Sequence, residues 1–209
     1  MGAFKDMILF FYTLALFVLH AAGLYQLIHS EFTPAGFHYR YLYEYLMLIT
    51  AVQYLDIPFS LLKLTGSNPW AVFVQVSGRL FVLWAATHMV SWKYALFTLI
   101  AVYLLSELCR GPYYMANCLE SPNAHLTWLR YNAFKVLYPV GFTCEALVFI
   151  NVVFIAHKTP IDIKNLQFLK FAAFAVFFLL IVTYLFNSMS HKAAKKNKEL
   201  QARKIAKSK

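Results

Sequence analysis

The sequence predicts an all-α membrane protein with six transmembrane helices and both termini in the cytosol. Hydrophobic residues make up 61% of the 209-residue chain and charged residues only 13%, against ~25% charged residues in an ordinary soluble domain. The apolar residues are also concentrated in runs, most of them near the ~17–25 residues that cross a bilayer as a helix. The six runs are Met7–Ile28, Leu42–Leu64, Trp70–Val90, Tyr94–Leu108, Trp128–Ile155 and Phe168–Phe186.

The six runs differ in length and in the polar, basic or proline residues that they contain or adjoin. The first follows a single basic residue, Lys5, and is longer than the core of a signal peptide, so we expect it to be retained as a span. The second and third are long enough to span but contain ionisable residues. The fourth is short, and Cys109–Leu119 either extends it or forms a broken, partly buried end. The fifth contains Pro139, which predicts a kink, and the sixth leads into residues 191–209.

The net charge of +10 is concentrated at the C-terminus. Residues 191–209 hold eight Lys and Arg and one acidic residue, whereas residues 1–190 hold eleven and eight. We therefore predict a six-span membrane domain over 1–190 and a basic tail over 191–209. Basic segments beside a span tend to remain cytosolic, and an even number of spans places the N-terminus on the same side. Next to a span, such a tail favours anionic lipid as its contact and argues against nucleic acid.

Several classes of site have no support in this sequence. The three cysteines, Cys109, Cys118 and Cys144, are an odd number without metal-binding spacing, and free cysteines are common inside apolar helices. The chain contains no Walker loop, no GxGxxG, no HExxH and no internal repeat. Nucleotide hydrolysis, a Rossmann domain and a zinc site are therefore not predicted.

Glu145 is the most informative residue, because it lies in the middle of the fifth apolar run. A carboxylate in hydrocarbon costs several kcal/mol, so it normally faces a polar interior and has a function there. Tyr138 precedes it by seven residues, close to two helical turns, so both side chains should project from one face. Pro139 lies between them, and a kink there would open a pocket. Gly141 permits close approach of a neighbouring helix or of a ligand. The spacing predicts an acid–base pair.

Other ionisable residues in the apolar runs have both functional and structural interpretations. Glu107, Arg110 and Tyr114 are spaced i, i+3 and i+7, which places them on one stripe if the helix persists through the Gly-Pro pair between them. Glu107 and Arg110 are alternatively a purely structural ion pair. Asp56 in the second run either caps a helix or pairs with Arg79 in the third.

Three sequence blocks resemble a known family, the membrane 3-hydroxyacyl-CoA dehydratases of very-long-chain fatty acid elongation, also called protein-tyrosine-phosphatase-like proteins. The blocks are VQVSGR (Val74–Arg79), SELCRGPYY (Ser106–Tyr114) and RYNAFKVLYPVGFTCE (Arg130–Glu145). Together with the six-span layout, the resemblance covers nearly the whole chain. The sequence departs from the family pattern at Asp56, where the family usually has Glu, and at Gly78, where Ser is common.

The resemblance implies an enzyme, a hydro-lyase that catalyses the third step of the elongation cycle. It would convert a (3R)-3-hydroxyacyl-CoA into a trans-2-enoyl-CoA, with Tyr138 and Glu145 as catalytic residues. We expect Glu145 to take the C2 proton and Tyr138 to act on the departing hydroxyl, although sequence leaves the reverse assignment open. The expected supporting or substrate-positioning residues are Asp56, Arg79, Glu107, Arg110, Tyr114, Arg130 and Asn132. Dehydration requires no metal or redox cofactor.

The same resemblance implies an endoplasmic reticulum membrane location and partners in the elongation cycle: the elongase, the ketoacyl-CoA reductase and the enoyl-CoA reductase. Phosphatase chemistry is not expected, because no cysteine begins a phosphate-cradling loop. One alternative is a non-catalytic scaffold of the elongation complex, against which the intact Tyr138 and Glu145 pair argues. Another is a proton-coupled transporter with acidic residues as a relay, against which the lack of an inverted repeat argues.

Overall fold

The computed structural model describes residues 2–31, 39–65, 67–87, 93–121, 123–156 and 166–208, and these contain helices and no strand. This confirms the all-α class. A 3₁₀ turn joins α2 to α3, and a π-helical turn over Asn151–Ala156 follows α7. The helices are α1 (Gly2–Glu31), α2 (Tyr39–Val52), α3 (Asp56–Leu61), α4 (Pro69–Ala86), α5 (Lys93–Cys118), α6 (Ala124–Asn132), α7 (Phe134–Ile150) and α8 (Leu166–Ser208).

Five of the six apolar runs form helical segments that are long and apolar enough to cross a membrane. These segments are Phe4–His29, Pro69–Ala86, Tyr94–Cys118, Ala124–Phe154 and Leu169–Glu199. The end of the third run, residues 88–90, lies outside the described part of the chain. A multi-pass membrane protein is therefore confirmed at the level of helix length and composition, and the sixth span stays a prediction.

The second apolar run differs from the others because its helix is interrupted. It forms α2, the 3₁₀ turn Gln53–Leu55 and the short α3 in succession. Pro58 supplies a physical reason, since it has no N–H to donate to the carbonyl of Tyr54, as a continuous α-helix would require. The interruption places Asp56 in the first turn of α3.

Helix α5 lies at the centre of the bundle, with its most extensive packing against α1 and further contacts with α6 and α7. Its side chains Leu99, Ile100 and Leu104 are completely buried. The approach of α7 to α5 depends on Gly141, because a Cβ atom there would lie 3.3 Å from Val102 Cγ1. The expected role of Gly141 in close helix approach is confirmed.

Helix continuity settles two of the expectations from sequence. The fourth run extends through Pro112 to Cys118 as one helix. Glu107, Arg110 and Tyr114 therefore lie on one stripe of α5. In the fifth run α6 ends before Ala133, and α7 continues through Pro139 to Ile150. Tyr138 and Glu145 therefore share one helix.

Helix α8 is the most peripheral of the five candidate spans, and none of its most apolar window is buried. Large apolar side chains between residues 176 and 184 are exposed, as expected for a lipid-facing helix. The helix continues without interruption through residues 191–208, so this basic segment is helical where the structure describes it.

Candidate active site

Four charged side chains from three helices form a cluster beside α5. Glu107 accepts from Arg79 Nη1 at 2.6 Å through Oε1 and pairs with Arg110 Nη2 at 2.8 Å through Oε2. Asp56 Oδ2 lies 3.6 Å from Arg110 Nη2. Buried charges are retained in proteins when they are paired, and here each carboxylate faces a guanidinium. The Glu107–Arg110 ion pair is confirmed, whereas the pairing of Asp56 with Arg79 is not seen, because Arg79 has Glu107 as its partner.

Tyr114 extends this cluster toward α6. The guanidinium carbons of Arg110 and Arg130 lie 5.8 and 5.7 Å from the centre of its ring, within cation–π range. Its hydroxyl also accepts from Arg130 Nη2 at 3.3 Å. The ring therefore links α5 to the start of the fifth span and places two cations beside each other.

Glu145 is buried on α7 and is only 9% exposed. Its Oε1 accepts a hydrogen bond of 2.7 Å from the hydroxyl of Tyr103, on the facing helix α5. The guanidinium of Arg79 lies over the Tyr103 ring, 5.3 Å from its centre. Tyr103 thus connects Glu145 to the charged cluster. Sequence reasoning missed it, although it precedes Glu107 by one helical turn and shares its stripe.

Tyr138 has a separate partner from Glu145. Its hydroxyl accepts a long hydrogen bond of 3.5 Å from Gln75 Nε2, one turn before Arg79 on α4. Its ring packs edge-on against Phe134 and Phe142. Within the described part of the chain Tyr138 and Glu145 are not hydrogen bonded to each other, and α4 and α5 hold them through different side chains.

Two cavities meet at Tyr138. The larger, about 460 Å³, lies among the start of α1, the start of α4, the end of α5, α6 and the basic part of α8. Arg110, Arg130 and Lys192 line it together with a single acid, Asp6. Arg110 is already paired with Glu107 and Asp56, so Arg130 and Lys192 supply the excess of positive charge. The smaller, about 70 Å³, reaches the Arg79–Glu107 ion pair. Glu145 is not among the residues that line either cavity.

Asn132 is not brought to these cavities. It donates to the backbone carbonyl of Trp128 at 2.8 Å and exchanges hydrogen bonds of 3.1 Å with Asn197 on α8. Its Oδ1 also accepts from Lys135 at 2.9 Å. Asn132 therefore connects α6 to the basic part of α8. It lies away from the cavities, although the sequence predicts a supporting or substrate-positioning role for it.

Comparison with known proteins decides the family. The family model described as "Protein tyrosine phosphatase-like protein, PTPLA" matches residues 50–202. The chain belongs to this family. All nine of the predicted site residues of this PTPLA-family chain, from Asp56 to Glu145, lie within the matched region. No solved structure matches the chain.

Curated relatives of this PTPLA-family chain are named as dehydratases. The probable very-long-chain (3R)-3-hydroxyacyl-CoA dehydratase of Schizosaccharomyces pombe is 31% identical over 93 residues, which are 43% of this chain and 45% of the relative. The very-long-chain (3R)-3-hydroxyacyl-CoA dehydratase of Danio rerio is 30% identical over 152 residues, or 71% and 39%. That of Gallus gallus is 29% identical over 150 residues, or 70% and 38%. The chain spans less than half the length of these relatives.

The family description contains the word phosphatase, but the cysteines of this PTPLA-family chain do not form the active site of a cysteine phosphatase. A cysteine phosphatase needs a thiolate in a loop that cradles phosphate. Cys109 and Cys118 lie within α5, and Cys144 lies within α7. Cys118 is the last residue of α5, and the connection after it, residues 119–123, contains no Arg to hold a phosphate. In the described residues, no group of three or more His, Cys, Asp or Glu could hold a metal ion.

Proposed function

We propose that this chain is a very-long-chain (3R)-3-hydroxyacyl-CoA dehydratase that produces trans-2-enoyl-CoA. The observation that carries the proposal is the placement of Tyr138 and Glu145 on one apolar helix, with Tyr138 at the wall of a cavity lined by basic residues. Family membership and the printed descriptions of the relatives support the same reaction. The reaction is an elimination without redox change, so we propose that it needs no cofactor beyond the CoA of the substrate.

In the proposed reaction Glu145 removes the C2 proton and Tyr138 assists the departing hydroxyl. The C2–H electron pair forms the double bond between C2 and C3 while the C3–O bond breaks. The departing oxygen takes a proton from Tyr138 and leaves as water, and the proton on Glu145 then restores the phenol through solvent. Positioned proton transfer of this kind is typically worth ~10²–10⁴ in rate.

The spacing along α7 allows both side chains to face one substrate. Seven residues at ~1.5 Å per residue separate the two Cα atoms by about 10 Å along the axis. All Cα–Cβ bonds of a helix tilt toward its N-terminus, so the two side chains lean in the same direction and stay on one face of α7, two turns apart. We propose that carbons C2 and C3 of the substrate lie between the carboxylate and the phenol, which requires the substrate to extend beyond the two cavities at Tyr138, since Glu145 lines neither of them.

The larger cavity supports an acyl-CoA as the substrate. Its volume falls in the ~300–1,000 Å³ range of small-molecule sites, and its three basic residues suit the phosphates of CoA. The apolar helices around it suit the acyl chain, which is poorly soluble in water. Asp6 and Lys192 both line this cavity, so the start of α1 and the basic part of α8 lie at the same end of the bundle.

The proposal also includes an arrangement in the membrane. We propose six spans with both termini in the cytosol, which places the cavity mouth where CoA substrates are found. Endoplasmic reticulum residence and action beside the elongase and the two reductases of the elongation cycle are part of the same proposal. The uneven distribution of basic residues supports the orientation.

An assay of the detergent-purified protein tests the reaction. A long-chain (3R)-3-hydroxyacyl-CoA is supplied, and enoyl product is measured by mass spectrometry. Tyr138→Phe and Glu145→Gln should each lose most of the turnover and keep the fold. Exposed Tyr94 and Glu120 offer matched controls, since Tyr94→Phe and Glu120→Gln make the same changes away from the site. The proposed function is wrong if the wild type forms no enoyl product.

A further inference from the structure

Tyr103 contacts the buried carboxylate of Glu145 from the facing helix. The hydroxyl is 2.7 Å from Glu145 Oε1, and the tyrosine is 7% exposed. In the described residues the only hydrogen bond to the Glu145 side chain is this one, and it goes to Oε1 and not to Oε2. We propose that Tyr103 is a positioning residue, which holds Oε1 so that Oε2 is available to remove the C2 proton. This inference rests on the proposed dehydratase function.

The ring of Tyr103 is itself fixed by Arg79. The guanidinium lies 5.3 Å from the ring centre, and its Nη2 donates to Ser106 Oγ at 3.0 Å. The Ser106 hydroxyl in turn donates to the backbone carbonyl of Tyr103 at 2.8 Å. Arg79 is anchored by its ion pair with Glu107. Arg79, which is paired with Glu107, therefore constrains the ring of Tyr103, and Tyr103 contacts Glu145. Within the described residues, Glu145 has no Lys or Arg in salt-bridge contact.

Such a constraint matters because a glutamate side chain has several rotatable bonds. A general base must present one oxygen to the proton that it removes, within ~2.6–3.2 Å. A hydrogen bond to an ionised carboxylate is roughly twice as strong as one between neutral groups, so a single phenol can fix the orientation of the carboxylate. During the reaction the C2 proton moves to Glu145 Oε2, whereas Tyr103 keeps its own proton throughout. Its role is to orient the base.

The test removes only the hydroxyl. Tyr103→Phe keeps the ring and its contact with Arg79, so the fold is expected to remain, which thermal unfolding in detergent checks. We expect kcat to fall roughly 10- to 100-fold, the range for loss of one hydrogen bond to a charged group. KM should stay within about twofold, because Tyr103 does not line the two cavities at Tyr138. Tyr94→Phe makes the same change at an exposed position of α5 and should behave as the wild type.

A double variant separates positioning from a general structural effect. If Tyr103 acts through the carboxylate, Tyr103→Phe should not slow the residual turnover of Glu145→Gln any further. A structural role would instead reduce the rate by the same factor in both backgrounds. Additive losses, or a Tyr103→Phe enzyme with the wild-type kcat, would overturn the positioning role and leave the dehydratase function standing. A wild type without product would refute the function and the inference together.

Discussion

Removal of the Glu107 carboxylate should destabilise the protein more than any other single change in the charged cluster. The side chain of Glu107 is 6% exposed, and each of its oxygens faces a guanidinium, at 2.6 and 2.8 Å. Glu107→Gln keeps the size of the side chain and leaves Arg79 and Arg110 with one fewer negative charge. Breaking a buried ion pair by removing one partner costs ~3–5 kcal/mol, because a desolvated charge is left uncompensated.

The chain contains a matched control for this effect. Lys196 Nζ and Glu199 Oε2 form an ion pair of the same length, 2.6 Å, but their side chains are 35% and 38% exposed. An exposed pair is worth ~0–1 kcal/mol, so Glu199→Gln should cost little. The two substitutions are chemically identical, and their comparison contrasts a buried carboxylate between two guanidinium groups with an exposed carboxylate beside a lysine.

Equilibrium unfolding in mixed detergent and SDS micelles measures both free-energy changes. The reasoning is refuted if Glu107→Gln costs less than about 1 kcal/mol, or if Glu199→Gln costs as much as Glu107→Gln. Adding Arg79→Met to Glu107→Gln should recover part of the loss, since it removes one of the unpaired cations. A double variant that loses the sum of both single losses would contradict the cluster as a coupled unit.

Two further predictions concern helix packing and the basic cavity. Gly141→Ala places a Cβ 3.3 Å from Val102 Cγ1, which opposes the ~0.5–1 kcal/mol that Ala gains over Gly within a helix, so thermal unfolding should show Gly141→Ala to be more favourable when Val102→Ala is added. Equal changes in both backgrounds would argue against a clash. Lys192→Gln should raise KM for the acyl-CoA several-fold at low salt, with kcat kept, whereas Lys170→Gln at an exposed position of the same helix should not. The same KM for both variants would exclude Lys192 from substrate binding.

Relationships within one helix could be predicted from the sequence. Helical periodicity is a local property, so the stripe of Glu107, Arg110 and Tyr114 and the shared helix of Tyr138 and Glu145 follow from spacing alone. The small side chain of Gly141 likewise indicated where another helix approaches. These features need no knowledge of the neighbouring element.

Contacts between helices could not be predicted in the same way. The partner of Glu145 is set by the position and rotation of α5 relative to α7. Periodicity shows which residues of one helix share a face, but it does not show which residues of two helices lie opposite each other. Tyr103 therefore went unnoticed among the many aromatic residues of the apolar runs, and so did the pairing of Gln75 with Tyr138. Pro58 was visible in the sequence, but the 3₁₀ turn before it depends on local backbone geometry.

The charged cluster around Glu107 makes Glu145 the better candidate of the two for the proposed base. Arg79 and Arg110 carry two positive charges, and Glu107 and Asp56 carry two negative ones, so the cluster is balanced when all four are ionised. A carboxylate in tight ion pairs has its lone pairs occupied and is a poor proton acceptor. Within the described residues Glu145 has no Lys or Arg at salt-bridge distance and one phenol as its donor. The cluster thus holds Tyr103 in place through Arg79. Glu145, which has no ion pair among the described residues, is the carboxylate that we propose takes the proton.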